Sequence, residues 1–223
     1  TFGVHSISIE LRDEASRFNI NNLHHNGAVD KAALAFFQRL LTQLNLAPDI
    51  AIAVLDYQET DSEVYQDGGD ESVVYSQQSN NSADSNLPNQ ALVSIDQLQN
   101  VKGVDAEVLA ALRPYITTVP YYLPININTA SPLLLAALLE GASSQQMQMV
   151  VEFREKQVFE SVDGLWQLPI FASLNQEQKK SITPLLAVDS QAFTALITAS
   201  DSADDGQARQ RYATIIISKT AAD

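Results

Sequence analysis

Between Val4 and Arg12 the apolar side chains Ile7, Ile9 and Leu11 alternate with Ser8, Glu10 and Arg12, a period of two that predicts a half-buried strand. Phe18 and Ile20 repeat the alternation after Asp13-Glu14, so the two runs are expected to pair. Past Asn26-Gly27 the period changes. Val29, Ala33, Phe36, Phe37, Leu40 and Leu44 recur at helical spacing until Pro48, which suits the first turn of a second helix reaching about Tyr57. Ser94 and Gln97 stand at capping-box spacing ahead of a short helix that stops near Asn100, and Asp105 can cap another that ends before Pro114. Ser131-Pro132 opens a helix to Leu139 with Gly141 as its terminator, followed by helices over 144–156, 161–168 and 175–186. At Phe193, Ala195 and Ile197 the period of two returns. A turn through Ser200 to Gly206 and an isoleucine-rich run from Tyr212 to Ser218 complete a C-terminal β-hairpin.

Strands thus lie at both ends and helices fill the middle. A lone hairpin is too small to be stable, so the C-terminal one is expected to join the N-terminal strands in one sheet. The fold class is α+β, an antiparallel sheet interrupted by a helical domain. The expected boundaries are 1–27 for the N-terminal strands, 28–187 for the inserted α domain, and 188–223 for the hairpin that completes the sheet.

The stretch 56–85 inside the insertion carries eight carboxylates and no lysine or arginine. Carboxylates that dense repel one another, so the stretch is either a solvated acidic loop or is completed by a cation. Glu59, Asp61, Glu63, Asp67 and Asp70 fall at positions 1, 3, 5, 9 and 12 of a twelve-residue window, an echo of an EF-hand loop and an oxygen-rich donor set of the kind calcium takes. Val64 stands where that motif needs glycine, and a glutamate opens it in place of aspartate, so any calcium loop here is of another kind. The Gln/Ser/Asn tract from Ser76 to Ser85 has little to bury and reads as a flap.

Composition narrows the function classes. The 223 residues carry a formal net charge of −14, which disfavours phosphate backbones and anionic membranes as partners. Without cysteine there is no disulfide, thiolate nucleophile or cysteine-based zinc site. No apolar run is long enough to span a bilayer. The segments Leu98 to Leu109 and Leu165 to Ile170 resemble helix-hairpin-helix repeats, which offer backbone N–H groups to DNA phosphates. Asp105 stands where a phosphate would sit, and the later copy lacks the hairpin glycine, so a helical packing module is the better reading and a nucleic-acid-binding module the alternative. His5, His24 and His25 have no evident relay partner and are expected at the surface; Trp166, Tyr121 and Tyr122 are expected in the core or at a hinge. No nucleophile elbow, phosphate loop or acid/base pair is present, so no enzyme activity is expected.

Four stretches in order resemble the minor pseudopilin K family of bacterial type II secretion systems, also called general secretion pathway protein K. Asp13-Glu14 with Asn19 and Asn21 is similar to the family's acidic pair followed by Asn-x-Asn. Leu55-Asp56-Tyr57 with Glu59 and Asp61 resembles Leu-Asp-Trp-x-Asp-x-Asp, and Gly68-Gly69-Asp70-Glu71 resembles Gly-Ala-Glu-Asp. Asn89-Gln90-Ala91-Leu92 through Val101-Lys102-Gly103-Val104 is close to an Asn-Gln-Pro-Leu segment leading into a Leu-x-x-Val-x-Gly-Val helix pair; Ile125-Asn126-Ile127-Asn128-Thr129-Ala130 nearly matches Ile-Asn-Val-Asn-Thr-Ala. The chain departs at Tyr57, Glu59 and Ala91, and the register at Gly68 to Ser72 is open.

The resemblance implies a pseudopilin-type sheet with a large inserted helical domain, helix-hairpin-helix or SAM-like, and an N-terminal hydrophobic membrane helix absent from this chain. It implies calcium held by Glu59, Asp61, Asp70 and Glu71, with Glu63 and Asp67 as further candidates. It also implies a periplasmic, inner-membrane-associated protein of a Gram-negative bacterium, placed at the pseudopilus tip with minor pseudopilins I and J, where it initiates or caps assembly.

Overall fold

A computed structural model describes residues 5–58, 91–202 and 208–219. Strand β1 (His5–Asp13) pairs antiparallel with β8 (Ala192–Ser202), and β8 pairs antiparallel with β9 (Ala208–Ser218), so the two ends of the chain meet in a three-stranded sheet of order β1-β8-β9. The register sets Ile9 opposite Ile197 and Ile197 opposite Ala213, and it places Ile7, Leu11, Ile215 and Ile217 on that same face. Among the described residues this face is open: its isoleucines and leucine on β1 and β9 are between 46% (Ile217) and 72% (Ile7) exposed. No described helix is long and apolar enough to cross a membrane.

The expected strand pair between the first two apolar runs does not form. Asp13 caps a 3-10 turn at Glu14–Ser16, accepting a hydrogen bond from the Ala15 amide, and this turn carries the chain off the sheet. Phe18 and Ile20 are instead fully buried in the helical block, and β2 (Phe18–Asn19) pairs in parallel with β5 (Ile116–Thr117). The alternation of Phe18 and Ile20 marks a single buried two-residue rung, too short to reveal which strand it would join.

After a hairpin of β3 (His24–His25) and β4 (Ala28–Val29), whose turn holds Asn26 and Gly27 at positive φ, α1 (Lys31–Gln43) starts under an Asp30 cap. Its apolar face buries Phe36, Phe37, Leu40 and Leu41, with the Phe36 and Phe37 rings 5.0 and 5.6 Å from Phe18. Helix α2 (Ile50–Gln58) is apolar almost all round and lies inside the block. A capping box of Ser94 and Gln97 starts a 3-10 helix at Ile95–Asn100, and Asp105 caps α3 (Ala106–Leu112). Arg113 then reaches back to Asp96, and that hydrogen bond and charge hold the Asp96 carboxyl below the usual carboxylate range.

Beyond β6 (Ile125–Asn126), Ser131 caps the short α4 (Pro132–Ala136), and Ser143 with Gln146 boxes the start of α5 (Ser144–Lys156). Helix α1 packs against α2 and α4, and α4 against α5. The last two expected helices are shorter than their periodicity suggests. Helix α6 covers Val162–Leu165, and α7 covers Gln176–Ile182 before giving way to a 3-10 turn at Thr183–Leu185, because Pro184 has no N–H to continue the α ladder. Strand β7 (Leu186–Ala187) pairs in parallel with β6 and returns the chain to the sheet.

Candidate functional site

Glu59, Asp61, Glu63, Asp67, Asp70 and Glu71, the residues expected to hold calcium, lie outside the described residues. The described residues contain no group of three or more His, Cys, Asp or Glu side chains able to hold a metal. The last turn of α2 is nonetheless unusual, because it ends in two buried polar residues, Asp56 and Gln58, immediately before Glu59. Gln58 donates to Asn21 Oδ1 at 3.2 Å and to the Ile20 carbonyl at 3.5 Å, while its own Oε1 is a buried acceptor without a partner. An orphaned oxygen next to the carboxylates expected as ligands is of the kind a hard cation such as calcium takes.

Gln58 belongs to a cluster of buried side-chain amides with Asn19, Asn21 and Asn22. Asn21 Nδ2 donates to the Leu92 carbonyl at 2.8 Å, and Asn21 Oδ1 accepts from the Leu92 amide at 2.8 Å, so one side chain closes both backbone bonds as a strand partner would. Asn22 does the same for Leu123, at 2.7 and 3.0 Å, and Asn19 Nδ2 reaches the carbonyls of Val119 and Tyr121. Gln58 immediately precedes Glu59, the first of the expected calcium ligands, and Leu92 follows the last of them, so Asn21 fastens the chain at one point on both sides of those residues.

A second cluster joins the block to the sheet. Asp13 Oδ2 accepts from Thr129 Oγ1 and from Ser190 Oγ, both at 2.6 Å, while Asp13 Oδ1 holds the Ala15 amide. Asn126 donates to the same Ser190 hydroxyl at 2.7 Å, and Asn128 grips the Phe159 amide and carbonyl at 2.9 Å each and the Val188 carbonyl at 2.9 Å. Buried Glu14 accepts from Thr117 at 2.6 Å and from Arg17 at 3.4 Å. A small apolar cluster of Ala15, Val119, Leu123 and Ala192 sits behind these bonds, and the Tyr121 hydroxyl meets Ser218 Oγ at 2.7 Å. The signal available in the sequence was asparagine set among apolar residues in Phe-Asn-Ile-Asn-Asn-Leu and Ile-Asn-Ile-Asn. Polar groups in such runs are buried, and buried polar groups must be paired.

Other expectations fare unevenly. His24 and His25 are half-buried in the β3–β4 hairpin instead of lying at the surface, because the His25 ring packs 4.6 Å from Tyr122. Burial, followed by the Asp30 carboxylate, raises the Tyr122 hydroxyl well above its ordinary range. Trp166 is a core residue in edge-to-face contact with Phe171, and Tyr121 sits at the joint with the sheet. In the first helix-hairpin-helix-like turn, Gly103 adopts φ +83°, and Asp105 Oδ1 accepts from the Glu107 and Val108 amides at 3.0 and 2.8 Å. The donors that would face a phosphate are therefore already filled by the chain's own carboxylate, which weighs against the nucleic-acid alternative.

Replacing Asn22 by Ala would leave the Leu123 amide and carbonyl buried without partners. The expected loss is about 2–3 kcal/mol of unfolding free energy, measured by urea denaturation, against about 1 kcal/mol for Asn175→Ala at the exposed α7 cap.

The matches with known proteins bear on this geometry. Two family models, both described as "Type II secretion system (T2SS), protein K", match side by side, one over residues 16–121 and the other over residues 125–189. Type II secretion system protein K of Klebsiella pneumoniae is 28% identical over 200 residues, covering 83% of this chain and 59% of that protein. Its counterpart in Pseudomonas aeruginosa is 26% identical over 161 residues, covering 70% of this chain and 47% of the relative. The chain thus spans about half to three fifths of the length of the curated relatives it matches. A chain in the crystal structure of the GspK-GspI-GspJ complex from the enterotoxigenic Escherichia coli type 2 secretion system superposes with a TM-score of 0.72 at 22% identity, covering 96% of this chain and 81% of that one. The acidic pair, the buried asparagines and the Ile-Asn-Ile-Asn turn all fall inside or beside the matched segments, and the chain belongs to the type II secretion system protein K family.

Proposed function

We propose that the chain is the globular part of a minor pseudopilin at the tip of the type II secretion pseudopilus, an assembly component without catalytic activity. The observation that carries this reading is the division of labour in the fold. A small sheet leaves one apolar face open, and a helical block many times its bulk is fixed to one end of that sheet by paired polar groups. An open aliphatic face of this kind suits an apolar helix, here the protein's own N-terminal hydrophobic helix, which would anchor the protein in the inner membrane and leave the described domains in the periplasm. The bulky block above the sheet would obstruct a further subunit, which makes the protein an initiator or cap of the fibre. Minor pseudopilins I and J are its proposed partners. The solved complex of three such proteins, one of whose chains shares this fold, supports that choice.

Calcium is the proposed ligand of the acidic segment, held by Glu59, Asp61, Asp70 and Glu71 with Glu63 and Asp67 as further donors. Bound there, it would supply positive charge that lets the carboxylates converge, and it would draw the segment onto the Asn21–Gln58 point to which both of its flanks are tied.

The assembly reading is tested by mixing the purified chain with the periplasmic parts of pseudopilins I and J from the same system. A three-protein peak in size exclusion is expected, and three separate peaks would refute the reading. The calcium reading has its own test. Calcium at about one hundred times its dissociation constant should stabilise the fold by about 2.7 kcal/mol, raising the thermal midpoint by about 5–10 °C. A midpoint that ignores both calcium and chelator would rule the ion out.

A further inference from the structure

Helix α7 is anomalous in that none of its residues is buried. It is held by the capping box of Asn175 and Gln178, and it stands as a ridge between two clefts. The larger cleft, about 640 Å³, lies between α7 and α6. Trp166 forms part of its lining, Lys179 and Lys180 line the α7 side, Asp163 lines the α6 side, and Gln167 and Gln176 add side-chain amides. A second cleft of about 310 Å³, lined by Gln178 and Leu174, flanks the ridge elsewhere.

Charge distinguishes the larger cleft. The chain carries 27 acidic residues against 13 lysines and arginines, and Lys179-Lys180 is its one pair of adjacent basic residues. Neither ammonium group has an ion-pair partner among the described residues, whose salt bridges lie at Arg12, Arg17 and Arg113. Two unpaired cations thus line a concave site with an indole, while glutamine amides beside them carry both a donor and an acceptor and match a peptide backbone.

We propose that this cleft docks an acidic, leucine-bearing segment of another polypeptide. The segment's carboxylates meet Lys179 and Lys180, an aliphatic side chain covers the part of Trp166 that lines the cleft, and Gln167 and Gln176 bond its backbone. Asp163, on the opposite wall, repels a uniformly acidic strand and so favours carboxylates spaced by apolar residues. This cleft uses neither the acidic segment nor the sheet face, so its test stands apart from those of assembly and calcium binding.

Trp166 is the only tryptophan in the chain, so its fluorescence reports on this cleft directly. The full chain is titrated at low salt with a blocked short peptide of alternating glutamate and leucine, and with the counterpart in which lysine replaces glutamate. Isothermal calorimetry on the same samples detects binding that leaves the indole unchanged. The glutamate peptide is expected to bind saturably, the lysine peptide not to bind, and the double variant Lys179→Gln, Lys180→Gln to bind the glutamate peptide about tenfold more weakly. Both lysines lie outside the capping box, so the variant should keep the wild-type thermal midpoint. Absence of heat and fluorescence change with the glutamate peptide, equal binding of the two peptides, or undiminished binding by the double variant would each overturn the proposal.

Discussion

Asp13 is where the chain leaves the sheet for the helical block, and its carboxylate makes that departure definite. One oxygen holds the Ala15 amide and so forces the 3-10 turn; the other accepts hydrogen bonds from the hydroxyls of Thr129 and Ser190, two points distant in sequence. Hydrogen bonds to a carboxylate are stronger than those between neutral groups, and three of them at one side chain fix an angle as well as a distance. The apolar contribution at this joint is small, four residues among which two are alanines. Polar geometry therefore decides how the block sits on the sheet.

The same device recurs inside the block. Its six described short strands have two residues each, too few for a ladder to hold distant segments together. Asn21, Asn22 and Asn128 make up the deficit, each closing the N–H and the C=O of one backbone residue far along the chain. Arg154 plays a related part by donating to the carbonyls of Ile127 and Ala130, and burial lowers its pKa from the ordinary arginine value. A core of aromatic and aliphatic side chains then supplies the bulk of the stability, while the amides fix which segments lie side by side.

This explains what could be read in advance. The long periodic elements, β1, α1, α5 and the C-terminal hairpin, were legible because each presents a whole face, and the helix caps at Ser94, Asp105 and Ser131 announce themselves by residue type. The destination of Phe18 and Ile20 was not, since two buried positions at a spacing of two fit a strand in either sheet. The purpose of the asparagines was hidden for a different reason. A side chain that substitutes for a backbone partner leaves no periodicity, and its target, Leu92 for Asn21 or Phe159 for Asn128, is an ordinary apolar residue whose backbone alone takes part. The proposed calcium ligands stand in the sequence as a dense run of carboxylates resembling a family pattern, and they lie outside the described residues.

The proposed place at the pseudopilus tip requires the helical block to be a rigid extension of the sheet, and the network around Asp13, Asn21, Asn22 and Asn128 is what would make it rigid. Native-state hydrogen exchange tests this most directly, because the amides of Leu92, Leu123 and Phe159 are held by side chains alone. If the account is right, these three exchange only through global unfolding, with the same free energy as the Leu40 and Leu41 amides in the middle of α1. Exchange through a local opening several kcal/mol below that value would show that the segments move independently, and would contradict it.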